Sequence, residues 1–240
     1  MKIIEKIREK QLDLHCVRQP VIAFLGDSVT QGCFEVYVKN KTLKTAINMQ
    51  KGYHEKVKRI LNTLYPEVPI NIVNAGISGD RAEGGLKRLE RDVLSYNPDL
   101  VVVCYGLNDA NGEEEGLEVY RNSLKDIFEK SKEHGADIIF LTPNLRTEKC
   151  DQPTGEQLID NAWEANARNE KAGWLRIYLD AAKALCKDMS VPVCDCNMLW
   201  QILKDNGVEI NTLLSNKINH PTEELHWMFA YELVKMMFLN

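Results

Sequence analysis

The stretch VIAFLGDSVTQG, residues 21–32, joins an uninterrupted apolar run to a turn of small and polar residues. The run at residues 21–25 has the length and apolar character of a strand that is buried on both faces. A glycine, an aspartate and Ser28 follow it directly. In an open parallel sheet, ligands bind at this end of the strands. The stretch therefore predicts a buried strand that brings a serine hydroxyl to a ligand site.

Short apolar runs and longer segments of helical period alternate along the rest of the chain. Further strands are predicted at residues 70–74, 100–104, 137–141 and 191–195. Helices are predicted at about 52–64, 83–95, 115–134, 156–188 and 221–238. Such alternation is typical of an α/β protein whose parallel sheet is covered by helices on both sides. We expect a single domain over residues 1–240, with residues 1–19 as an N-terminal helical extension.

The composition excludes several classes of protein. The chain has 240 residues, 44% of them hydrophobic and 27% charged, and a net charge of -5, as in ordinary globular proteins. We expect no nucleic-acid partner, because no cluster of positive charge is present. We also expect no membrane partner, because no apolar run approaches the roughly 20 residues of a membrane span. Charges interrupt the first ten residues, so a surface helix and a cytoplasmic location are expected instead of a secretory signal.

The cysteines and histidines give no sign of a metal site or a disulfide framework. The seven cysteines are scattered, and their spacings fit neither a zinc ribbon nor a redox motif. Cys194 and Cys196 are the closest pair, and we expect no bridge between them. The five histidines are not paired at ligand spacing. We therefore expect reduced thiols, no metal and no cofactor.

Four short segments carry the residues that acyl-transfer chemistry needs. They are GDSVTQG at 26–32, NAGISGD at 74–80, GLND at 106–109 and NHP at 219–221. The first three follow predicted strands, so they should meet at one edge of the sheet. Together the segments offer a serine nucleophile, a histidine base and donors for an oxyanion.

The four segments, in this order, resemble the sequence blocks of the GDSL, or SGNH, hydrolases. The resemblance spans residues 21 to about 238 and implies a flavodoxin-like, three-layer α/β/α sandwich with a five-stranded parallel sheet. It implies Ser28 as the nucleophile and His220 as the base. It also implies an oxyanion hole made by the amides of Ser28 and Gly79 and the side chain of Asn108. Each residue has a structural alternative: a helix cap for Ser28, a turn for Gly79 and an Asx-turn for Asn108.

The chain departs from the family pattern at the third member of the triad. The family usually has an aspartate three residues before the histidine, where this sequence has Lys217, and Asn216 lies four residues before it. Asn216 or a backbone carbonyl is favoured to orient His220, ahead of the more distant Asp195. A neutral orienting group predicts a pKa near the ordinary histidine value of about 6.5.

The sequence thus predicts a serine carboxylester hydrolase that acts on a small polar or acetylated ester, such as an acetylated carbohydrate. The polar segments 34–54 and 143–155, the latter with Asn144 and Arg146, are expected to wall the site and favour such a substrate. A catalytically weak ligand-binding protein on the same scaffold is one alternative, and a lysophospholipase or thioesterase is another. A flavodoxin-like nucleotide binder fits poorly, because the first turn lacks a phosphate-cradling run of glycines.

Overall fold

The computed structural model describes residues 1–239 and contains a five-stranded parallel sheet and a two-stranded hairpin. The strands within these residues are β1 (Val21–Gly26), β2 (Cys33–Lys39), β3 (Thr42–Ile47), β4 (Asn71–Gly76), β5 (Leu100–Cys104), β6 (Asp137–Leu141) and β7 (Val193–Cys194). The parallel sheet has the order β4-β1-β5-β6-β7, and β2 pairs with β3. Both β1 and β5 are buried along their whole length, as their continuous apolar sequences predict.

Helices lie between the strands in chain order. They are α1 (Lys2–Leu12), α2 (Ser28–Gln31), α3 (Tyr53–Leu64), α4 (Ala82–Asp92), α5 (Glu113–Glu133), α6 (Gln157–Lys171), α7 (Trp174–Asp188), α8 (Cys196–Asp205) and α9 (His226–Leu239). Short 3-10 helices occur at Met49–Lys51, Leu94–Tyr96, Asp109–Gly112 and Ile210–Leu213. Within residues 1–239, no helix has both the length and the apolar character needed to cross a bilayer.

The helices form two layers around the sheet. Helix α9 packs against α1 and α3, and α5 packs against α4 and α7. Ile3 and Ile7 of α1 are fully buried in the main hydrophobic core, so this helix is part of the packed protein. The predicted α/β/α sandwich with a five-stranded parallel sheet is confirmed.

The strand order determines where a ligand can bind. Counted along the chain, the strands of the parallel sheet lie in the order second, first, third, fourth, fifth, which is the flavodoxin-like arrangement. The connections therefore leave the sheet in opposite directions from β1 and β5, and a crevice opens between their carboxyl ends. Ser28 follows β1 and Asn108 follows β5, so both lie at this crevice.

Two helix boundaries differ from the sequence prediction. The segment predicted as one helix over 156–188 divides into α6 and α7, because Gly173 adopts a positive φ of 78° between them. The last helix begins at His226 and not at 221. Pro221 instead forms an isolated antiparallel bridge with Leu214, which holds the preceding loop against the domain.

The segment after α2 folds into a hairpin, although no strand was predicted between residues 34 and 54. Its two-residue turn is formed by Asn40 and Lys41, whose φ angles are 53° and 57°. Positive φ at both positions is the geometry of the turns that best match strand twist. The pairing register shifts between Cys33 and Val36, where β2 has one residue more than β3. This shift is a β-bulge, and it contains Phe34.

Cys194 and Cys196 lie where β7 meets α8. Their sulfur atoms lie 3.9 Å apart. Because β7 ends at Cys194 and α8 begins at Cys196, strand periodicity does not set the direction of both side chains. All seven cysteines are free thiols.

Candidate active site

The loops that follow β1, β4 and β5 start at the same level of the sheet. In the parallel register, Gly26 pairs with Gly76 on one side and with Cys104 on the other. The segments that carry Ser28 and Gly79, and the one that carries Asn108, therefore leave the sheet side by side, as the sequence predicted.

Ser28 is the first residue of α2, and tight packing fixes this short helix on the strand ends. Asp27 caps the helix, because its carboxylate accepts the amide of Val29 at 2.9 Å. A Cβ atom on Gly76 would lie 2.2 Å from the amide nitrogen of Gln31, so only glycine allows α2 to approach β4 this closely. Ser28 is therefore not the cap, and its hydroxyl is free for another role.

The Ser28 hydroxyl contacts His220. Ser28 Oγ lies 3.0 Å from Nε2 of His220, although the two residues are 192 positions apart in the chain. The other ring nitrogen, Nδ1, lies 3.1 Å from the backbone carbonyl oxygen of Phe34. A carbonyl can only accept, so Nδ1 carries the hydrogen and Nε2 offers its lone pair to the serine. The two side chains have the geometry of a nucleophile and its base.

Asn216 does not contact the His220 ring. Its Oδ1 accepts the backbone amides of Ile218, Asn219 and His220, each at 3.0 Å. The side chain therefore folds the loop before His220, and the ring is oriented by the Phe34 carbonyl. A backbone carbonyl was one of the alternatives that the sequence left open.

Asp195, the third candidate to orient His220, also binds other groups. Its carboxylate caps α8 by accepting the amide of Met198, and it forms an ion pair of 2.6 Å with Lys183. Among residues 1–239, no carboxylate takes the place of the family's aspartate beside His220.

Burial decides the protonation state of His220. The residue is 3% exposed, and desolvation lowers the pKa of its imidazole from the ordinary 6.5 to about 4, while the hydrogen bond to Phe34 opposes this shift. The predicted value near 6.5 was therefore too high, because a neutral acceptor does not compensate for the loss of water. At neutral pH, His220 is uncharged and able to accept a proton.

The candidate oxyanion donors lie on neighbouring loops. Gly79 has a φ of 80°, and a Cβ atom built there would meet no heavy atom within 4 Å, so the backbone at this position borders open space. Asn108 donates one hydrogen of its side-chain amide to the carbonyl of Asp80 at 3.0 Å, which ties it to the segment that carries Gly79. Its second hydrogen remains available to a substrate oxygen.

Asp109 organises the loops and does not face Ser28. It accepts the amides of Ala82 at 2.8 Å and of Gly106 at 3.0 Å. Burial raises the pKa of its carboxyl to about 6, against the lowering effect of these two bonds.

A buried arginine holds the strand ends together, and it was not among the predicted site residues. Arg88 donates to the carbonyls of Gly26 at 3.1 Å and Ala75 at 2.6 Å, at the ends of β1 and β4. It also pairs with Asp80 and donates to the hydroxyl of Tyr105. Its place in the helical repeat of α4 gave no signal, because arginine on an amphipathic helix is usually solvated.

The loop after β6 does not wall the site with polar side chains as expected. Asn144 and Arg146 are both fully buried and take part in internal hydrogen bonds. They therefore give no support to a polar substrate. Within residues 1–239, no group of three or more potential metal ligands is arranged to hold an ion.

Comparison with known proteins identifies the family of the chain. The model of the GDSL-like Lipase/Acylhydrolase family matches residues 24–228, and the chain belongs to that family. It is 30% identical, over 131 residues, to a protein named acetylxylan esterase from Geobacillus stearothermophilus, a match that covers 51% of this chain and 58% of that protein. The chain spans somewhat more than half the length of the curated relatives it matches.

Solved structures share the fold over almost the whole chain. A lipase/acylhydrolase from Enterococcus faecalis has a TM-score of 0.66 at 20% identity, covering 91% of this chain and 95% of its own. An acetyl xylan esterase, AlAXEase, has a TM-score of 0.63 at 21% identity, covering 90% of this chain and 98% of its own. At these identities the likeness concerns the fold.

Proposed function

We propose that this protein is a serine carboxylester hydrolase that works through an acyl-enzyme on Ser28. The observation that carries the proposal is the 3.0 Å contact between Ser28 Oγ and His220 Nε2, with Nδ1 held by the Phe34 carbonyl. A serine hydroxyl is a poor nucleophile unless a base removes its proton, and this contact supplies the base in the required tautomer.

The reaction runs in two halves. In the first, His220 Nε2 takes the proton of Ser28 Oγ as the oxygen bonds to the ester carbonyl carbon. The tetrahedral intermediate collapses, the bond to the alcohol breaks, and the alcohol leaves with the proton from His220. In the second half, His220 takes a proton from water, whose oxygen attacks the acyl-serine. The acid departs, and Ser28 regains its proton.

The oxyanion of both intermediates would be stabilised by the amides of Ser28 and Gly79 and by the free hydrogen of the Asn108 side chain. Such donors act mainly when charge develops on the oxygen, and each is worth about 10²–10³ in rate. Within the described residues 1–239, no carboxylate lies beside His220, so the imidazolium would be less stabilised than in a full triad and the oxyanion donors would carry more of the catalysis.

As substrate we propose an acetyl ester of a sugar or of another small polar alcohol. Ser28 is only 4% exposed, and so enclosed a nucleophile favours a short acyl group. Tyr37, Lys39 and Lys44 are exposed on the hairpin that follows the nucleophile, which favours a polar alcohol part. The relative named acetylxylan esterase supports the same choice.

The test compares Ser28→Ala with the wild type on aryl acetate, aryl octanoate and acetylated xylo-oligosaccharides. Ser28→Ala should lower kcat by about 10³-fold or more while the fold is retained. A serine-directed phosphonate should label the wild type at Ser28. Ser95→Ala, which removes an exposed serine hydroxyl, is the matched control and should leave activity unchanged.

The outcomes separate the alternatives. Preference for the octanoate would favour a lysophospholipase or thioesterase. Binding of oligosaccharide without turnover of any ester would favour the weak ligand-binding protein. Undiminished turnover by purified Ser28→Ala would remove this residue as the nucleophile.

A further inference from the structure

Arg146, in the loop after β6, is a fully buried charged residue whose three guanidinium nitrogens all have partners. Nε pairs with Glu170 at 3.2 Å, and Nη2 donates to the Asn169 side chain. Nη1 donates to the carbonyl of Leu107 at 3.2 Å and to the side chain of Asn111 at 2.9 Å. The cost of taking an ion pair out of water can exceed what its hydrogen bonds return, so stability alone does not explain this arrangement.

The contacts of Nη1 lie on either side of Asn108, the candidate oxyanion donor. A third contact reaches the same loop, because Asn169, itself held by Arg146, donates to the carbonyl of Ala110 at 3.0 Å. The loop that carries Asn108 is thus held by three hydrogen bonds, two from Arg146 and one from Asn169. The planar guanidinium fork fixes direction as well as distance, which a lysine cannot do.

The segment that carries Arg146 also reaches the loop that bears the proposed base. The side chain of Asn144 donates to the carbonyl of Asn219 at 2.9 Å. The amide of Thr147 donates to the carbonyl of Ile218 at 2.8 Å. One short stretch of chain therefore joins the oxyanion loop to the histidine loop and sets their separation.

We propose that Arg146 is a positioning residue that holds the Asn108 side chain where the oxyanion forms. The proposal rests on the proposed function. An oxyanion donor is effective only within hydrogen-bonding distance of the developing charge. A displacement of about 1 Å in a catalytic group can cost about 10²-fold in rate. Arg146 itself does not touch the substrate and acts through Asn108.

The first experiment replaces the planar guanidinium group of Arg146 and keeps its positive charge. In Arg146→Lys, kcat per phosphonate-labelled Ser28 should fall by about 10- to 100-fold, while KM changes by less than about twofold. Expressing kcat per labelled site corrects for any loss of folded protein. Arg18→Lys is the matched control: it breaks a two-bonded pair with Asp99 at the opposite end of the sheet, so it should lower stability and leave kcat per site unchanged.

The second experiment is a double-mutant cycle. If Arg146 acts through Asn108, Arg146→Lys should lower kcat by less than about twofold in an Asn108→Ala background. An equal loss in both backgrounds would overturn the proposal, because the arginine would then act independently of Asn108.

A milder variant covers the case in which Arg146→Lys does not fold. Asn111 is exposed, and Asn111→Ala removes one of the two contacts of Nη1 without opening the core. It should lower kcat per site in the same direction with KM preserved, and an unchanged kcat would count against the proposal. If wild-type Ser28 neither labels nor turns over esters, the proposed function fails and the inference with it. If the wild type is active and both variants keep its kcat, the inference alone fails.

Discussion

The His220 imidazole is surrounded by neutral groups, which stabilise its charged form less than a carboxylate would. A neutral carbonyl lies at Nδ1 and the Ser28 hydroxyl lies at Nε2. A carboxylate at Nδ1 would raise the pKa of the ring, whereas burial here lowers it to about 4. A histidine of low pKa is a weaker base, but it stays unprotonated over a wider range of pH.

This environment sets the pH dependence of the reaction. Below about pH 4, His220 is protonated and cannot take the serine proton, so kcat/KM should rise as pH increases through about 4 and be level from about pH 5.5. The measurement is kcat/KM for an aryl acetate across this range, with circular dichroism at each pH to correct for unfolding. An acid limb centred near 6.5 would contradict the burial of the ring in the working enzyme.

The side chains of the candidate site could be predicted from the sequence, and the backbone carbonyl that orients His220 could not. Ser28, Asn108 and His220 stand in short motifs at strand ends, where residue type and place both carry information. The carbonyl of Phe34 carries none, because every residue has a carbonyl and tertiary structure alone decides which one meets the ring. Arg146 was expected to wall the site as a solvated polar side chain, because charged loop residues are usually exposed.

At the scale of elements, the bulge in β2 makes the Phe34 carbonyl available. The extra residue between Cys33 and Val36 takes this carbonyl out of the regular ladder with β3. It then accepts from Ser215 Oγ at 2.8 Å as well as from His220. The hairpin thus supplies the carbonyl that orients the proposed base.

Deleting Glu35 should return Phe34 to regular pairing with Ala46 and withdraw its carbonyl from His220. We expect kcat to fall by about 10²-fold, since the base loses its orientation. Steady-state kinetics on labelled sites would measure this. Lys41→Gly, which relieves a positive φ in the turn of the same hairpin, should keep kcat and raise the melting temperature. Wild-type kcat in the deletion variant would show that another group orients the ring.

The hairpin was harder to predict from the sequence than the strands of the parallel sheet. The inward residues Phe34, Val36 and Val38 do alternate with exposed ones, as a half-buried strand requires. The turn has Asn40-Lys41, however, and lacks the glycine that usually identifies a two-residue hairpin turn. The central strands were easier to predict because continuous burial leaves a continuous apolar run.

For the whole molecule, buried imidazoles link stability to pH. Burial lowers the pKa of His54 and of His220 to about 4 and that of His226 to about 3. Between these values and 6.5, the unfolded chain binds protons that the folded chain does not, so these groups remove stability as pH falls. Asp27 and Asp109, whose pKa values burial raises to about 7 and about 6, act in the opposite direction.

Replacing one imidazole isolates its contribution. His226→Gln keeps an acceptor for the amide of Tyr53 and removes a titrating group. Between about pH 4 and 6, the slope of the unfolding free energy against pH should be smaller in the variant by about 1.4 kcal/mol per pH unit, the value for one proton. Urea denaturation at several pH values would measure both slopes. Parallel slopes would show that His226 is already protonated in the folded protein.

The close contact of α2 with β4 also has a thermal consequence. Because Gly76 leaves no space beside Gln31, α2 and the proposed nucleophile Ser28 are packed tightly against the end of β4. The loop of His220 is joined to the molecule through other loops, and such segments open at lower free energy than core strands. On warming, we therefore expect the loop of His220 to open first and inactivation to be reversible as long as Ser28 keeps its place on the intact sheet.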